Sequence, residues 1–231
     1  MRFLAILRKE LRECLPWIVL AAAVLFAFGY LELFERMIPQ NVDHRYRLFT
    51  PSNEVYHFDL MKWSLLVGIG QLLLFVSIGL GLAMGIRQFW VDHYTGTWGL
   101  TLHRSVNKEK ILSAKLTAAA IGFIASIGTI WCLLFLYASK TLNFYVPPAN
   151  RIFFEGWAYI VSGFVVYMGT ALAGLSTARW YTTKVFGLAF AAVILFVMVL
   201  QGRLSYAYLT LLVGIFILAV QIGQTFLNRE F

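Results

Sequence analysis

Charge is what this chain has least of: 13% of its 231 residues are Asp, Glu, Lys or Arg, while 60% are hydrophobic. That balance lies far outside the range of soluble domains, which excludes a water-facing fold around one buried core. Cysteine is nearly absent. Cys14 and Cys132 fall at the start of the first apolar run and inside the third. With no CxxC or Cys/His cluster, a disulfide framework and a cysteine-built metal site are excluded. No GxxxxGK[ST] phosphate loop occurs, so the usual route to ATP is closed. Low-complexity tracts, long linkers and obvious internal repeats are also missing, and residues 1–231 read as a single membrane domain.

What is present is greasy and basic, with nineteen Lys and Arg against eleven Asp and Glu. The basic residues sit beside apolar runs. Membrane lipids with anionic headgroups, and the positive-inside bias, account for them without nucleic acid. A spanning helix needs about 20 apolar residues at a rise of about 1.5 Å each. Six segments meet that length: roughly 15–34, 63–86, 114–139, 157–178, 185–201 and 204–224. The fifth is short, and only Gly202 and Arg203 separate it clearly from the sixth. Before them, residues 2–14 place Phe3, Leu4, Leu7, Leu11 and Cys14 on one helical face. Arg2, Arg8, Lys9, Arg12 and Glu13 populate the rest, as in an amphipathic helix at the membrane surface. Pro16 suits the first turn of the first span, and that span is too long, and ends wrongly, for a cleaved signal peptide.

Twelve basic residues fall on the side of both termini and the 87–113 loop, and seven on the other. The larger number marks the cytoplasm. The expected fold is therefore an all-α membrane protein with six transmembrane helices. An amphipathic interfacial N-terminal helix precedes them, and both termini are cytoplasmic.

The longest polar passage on that side runs from Arg87 to Lys115. A polar turn, Asp92 to Thr95, leads through Gly96-Thr97 into the amphipathic run Trp98–Leu102. A second polar turn, His103 to Lys110, leads to Ile111-Leu112 and to Lys115 at the mouth of the third span. Asn107 suits the cap of a helix starting at Lys108. The pattern fits a short helix across the membrane face, and equally a plain connector.

Gly-Thr, a short apolar run, then Arg104-Ser105-Val106-Asn107-Lys108 with Lys115 seven residues on, resembles the loop between spans two and three of type-2 ABC exporter permeases. Asp92 stands four positions before the Gly-Thr pair, where that family commonly has an acidic residue. Ser105 replaces the family's Pro, and Tyr94 stands where a second acidic residue is usual. The six-span layout and the LRKELRE surface helix extend the resemblance over nearly the whole chain. It implies a permease that pairs with a second protomer, homo- or heterodimeric, to form a translocation path. It also implies that the loop and the N-terminal helix rest on a cytoplasmic ATP-binding cassette subunit in the cell membrane. Asp92, Gly96, Thr97, Arg104, Lys108 and Lys115 would couple to that subunit, with Arg8, Lys9 and Arg12 on the interfacial helix. No cofactor is expected in this chain; ATP and Mg would be on the partner.

Small residues recur at four-residue spacing: Ser77, Gly81 and Gly85 in the second span, and Gly169, Ala173 and Thr177 in the fourth. Such stripes let helices approach closely, within one protomer, at a dimer seam or along a substrate path. Gln71, Gln201 and Gln221 are polar residues within spans, and no span carries Asp, Glu or Lys near its centre. That argues against a proton- or ion-coupled carrier; a channel or secondary carrier without an ATPase partner is the alternative reading. A membrane-embedded enzyme is weaker still, since Ser176 has no evident activating base, so the chain is not expected to be an enzyme by itself. His44, Asp43, His57 and Asp59 lack a ligand spacing, and a solvated outer loop with an interfacial helix from about Asn53 to Lys62 is expected. Tyr30, Phe34, Trp63, Tyr145, Trp157 and Tyr206 fit an interfacial aromatic belt.

Overall fold

Helix is the only regular structure that lets a single apolar segment satisfy all of its own backbone groups in lipid. The computed structural model describes residues 2–37, 53–95, 107–140, 150–175, 185–201 and 203–228, and every regular element among them is helical. Helix α1 is Arg2–Met37. Helix α2 (Asn53–Gly85) passes through a π-helical turn, Ile86–Trp90, into α3 (Val91–Tyr94). Helix α4 (Lys108–Phe123) passes through a second π turn, Ile124–Gly128, into α5 (Thr129–Lys140). Helices α6 (Asn150–Leu175), α7 (Phe186–Leu200) and α8 (Leu204–Leu227) complete the chain.

Five stretches are long and apolar enough to cross a bilayer: Phe3–Gly29, Ile69–Trp90, Lys108–Ser139, Asn150–Leu175 and Leu204–Leu227. The chain is a multi-pass membrane protein. Its expected fifth span is α7, whose fifteen residues reach only about 22 Å. Large apolar side chains such as Phe26, Phe75, Leu133, Phe196 and Phe216 point outward from the bundle, as a lipid-facing surface requires.

Helix α6 forms the centre, with 83% of its apolar stretch buried against 17% for α1 and 28% for α8. It packs parallel to α2 through a seam of small residues. A Cβ on Gly163 would lie 2.5 Å from the Ser77 carbonyl oxygen, and one on Gly85 2.6 Å from Cβ of Thr170. Gly81 abuts the Gly163 backbone in the same seam. Gly169 and Ala173 face α7 instead, where a Cβ on Gly169 would lie 2.6 Å from the Gly187 carbonyl oxygen. Both stripes thus pack within one chain; Thr177 lies outside the described residues. At the other end of α6, Trp131 donates to the Phe153 carbonyl at 3.1 Å and Tyr208 donates to that of Phe154 at 2.6 Å.

Three boundaries differ from the sequence expectation. The surface helix and the first span form one helix, with Pro16 inside it, because Glu10 and Cys14 are buried against the bundle and hold the early turns in line. The interfacial helix from Asn53 to Lys62 is likewise the first part of α2. The polar turn at Asp92 is helical, since the second helix continues through its π turn to Tyr94.

Candidate functional site

Lys115 stands where α4 should be apolar, among the buried residues Ile111, Ala114, Ala118 and Gly122. Its residue is 2% exposed. An ammonium buried that far is costly unless all its protons are used. They are: Nζ donates to Glu10 of α1 at 3.1 Å, to the backbone carbonyl of Gln88 at 2.9 Å, and to Asp92 of α3 at 2.8 Å. Nζ also lies 5.6 Å from the ring centre of Phe89. The π turn supplies one of these partners. Its wider winding, in which Val91 N–H donates to the Ile86 carbonyl, perturbs the regular backbone ladder around Gln88.

Helix α6 closes the group from a fourth side. Tyr167, fully buried, donates to Oε1 of Gln88 at 2.5 Å, with the Lys115 carbonyl a second acceptor at 3.2 Å. Trp90 donates to the Thr170 carbonyl at 3.2 Å, which pins the π turn to α6. Gly174 leaves the space that the Trp90 ring fills. Around the rim, Arg87 pairs with Glu13 at 3.2 Å, and Lys9 approaches the same carboxylate at 3.6 Å. Glu10 is near the start of α1, Asp92 near the end of the second helix and Lys115 near the start of the third. The ionic node therefore sits at one end of the bundle and away from its middle.

Of the residues singled out in sequence, the fold brings Asp92 and Lys115 together. Lys108 is the first residue of α4, next to its cap, where Oδ1 of Asn107 accepts from the Glu109 N–H at 3.1 Å. Gly96, Thr97 and Arg104 lie outside the described residues, as do His44, Asp43, Tyr145, Ser176 and the run Trp98–Leu102. Arg8, Lys9 and Arg12 are on the outward face of α1. Trp157 packs on Gly128, and Tyr206 is exposed.

Glu10, Gln88 and Tyr167 escaped the sequence reading. Each had a signal. Glu10 continues the inward series Phe3, Leu7 and Cys14, so an acid occupies a core position of an amphipathic helix. Gln88 follows the buried series Ser77, Leu80 and Met84. Among the described residues, no three His, Cys, Asp or Glu side chains converge to hold a metal ion. The chain matches no protein-family model, no curated protein and no solved structure.

Proposed function

We propose that this chain is the permease subunit of an ATP-driven exporter. Its six helices would cross the cell membrane with both termini in the cytoplasm, in a pair of permease protomers served by two ATP-binding subunits. The observation that carries the reading is the Lys115 node. One ammonium ties the first, second and third long helices together between the two described ends of the 87–113 passage. A load applied to that passage would reach three helices through short, buried, charge-assisted bonds. With no phosphate loop in the chain, the load would come from another subunit.

The test is purification of the tagged chain from its native membrane in mild detergent. A co-purifying subunit with a GxxxxGK[ST] loop and ATPase activity is expected. The double reversal R104E/K108E should leave insertion intact and uncouple ATP hydrolysis from transport. Full transport by that variant, or a functional chain purified with no ATPase, overturns the proposal. The second reading is a channel or secondary carrier that works without an ATPase. Transport driven by an ion gradient in vesicles holding this chain alone would establish it instead.

A further inference from the structure

We infer that Glu10 is a proton-binding site, and that taking up a proton there releases the first turns of α1 from Lys115. Two observations converge on it. The Glu10 side chain is 5% exposed, and its two oxygens lie 3.0 and 3.1 Å from the same Nζ. Lys115 is its one hydrogen-bond donor among the described residues, whereas an ionised carboxylate offers about four acceptor sites. A buried charge so thinly supported is readily exchanged for the neutral acid.

Second, Lys115 does not depend on Glu10. Its remaining protons are held by the Gln88 carbonyl and Asp92, so the ammonium stays coordinated when Glu10 withdraws. Protonation removes the ion pair with atoms and charge balanced: one proton is taken from water, and the neutral acid no longer draws α1 to the ammonium. The charged groups that face Glu10 are Lys115 from α4, Asp92 from α3 and Lys9 on its own helix. Tyr167 from α6 and Cys14 are the other titratable neighbours, and Arg87 is engaged with Glu13.

Cys14 reports the release directly, because it is fully buried while α1 is latched. In a C132A chain in lipid nanodiscs, maleimide labelling of Cys14 is measured across pH and normalised at each pH to the unfolded chain. Normalised labelling should rise about tenfold from alkaline to acid buffer, the population change that a loosening of about 1.4 kcal/mol produces. E10Q, which carries no charge at any pH, should label at the acid level throughout. A flat wild-type profile, or an E10Q chain that keeps the wild-type profile, overturns the inference. Infrared titration of the wild-type chain needs no variant that must fold. The carbonyl band of a protonated carboxylic acid should grow over the same pH range and persist in D92N, and its absence also overturns the site. Neither measurement requires an ATP-binding partner, so failure here is distinct from failure of the permease reading.

Discussion

Lys115 shows how a single side chain can organise one end of a membrane bundle. Its four-carbon stem lies in the apolar wall of α4, and its ammonium reaches partners on two other helices. Lys115→Met keeps the stem's bulk and removes the charge, leaving Glu10 and Asp92 in the cluster without that ammonium. The loss should cost about 3–5 kcal/mol, read as lowered thermal stability in detergent. Combining it with E10Q removes one stranded carboxylate, so the double variant should be more stable than the sum of the two effects by about 0.5–3 kcal/mol. Strict additivity would show that the pair seen at 3.0 Å contributes nothing. Lys115 could be singled out from sequence by its place in a loop that resembles that of type-2 exporter permeases, but its burial could not. A lysine eight residues into a helix is as easily placed in the headgroup region, and only the partners on α1 and α3 draw it inward.

At the scale of elements, glycine separates packing from propensity. Gly163 has no room for a Cβ, because the Ser77 backbone occupies the space. Gly79, on the same helix as Ser77, has nothing within 4 Å of its missing Cβ. Gly163→Ala should therefore force α2 and α6 apart and cost about 1–3 kcal/mol. Gly79→Ala should be neutral or stabilise by up to about 1 kcal/mol. Thermal unfolding of the two variants side by side checks this; equal effects would mean the seam is not tightly closed. The positions of the long helices were readable from hydropathy, since length and apolarity are local properties. Their ends were not. Pro16 looked like a helix start and Asp92 like a turn, yet burial of Glu10, Cys14 and Gln88 carries helix through both regions.

For the whole molecule, the number of crossings turns on α7. The pairing of Tyr208 with the Phe154 carbonyl sets the starts of α6 and α8 at the same end. Packed alongside α6, α8 then returns toward the end that holds Glu10. If α7 crosses with its fifteen residues, the bilayer core of about 30 Å must thin locally around it. Reporters fused at Met1 and at Phe231 should then appear in the same compartment. Opposite compartments would mean five crossings and would remove the six-span layout.

Composition and periodicity by themselves determined that this is a helical, multi-pass membrane protein, because a continuous apolar run of about 20 residues can bury its backbone in lipid only by bonding within itself as a helix. They also marked the small-residue stripes and the basic passage after the second span. Only the tertiary structure decided which neighbours those features meet. It turned the stripes toward α6 and α7 within one chain, and it brought Glu10, Gln88 and Tyr167 to Lys115 across 105, 27 and 52 residues of sequence. Such convergence depends on helix order, direction and rotation. Those are set by packing between distant segments, and no local pattern of residues carries that information.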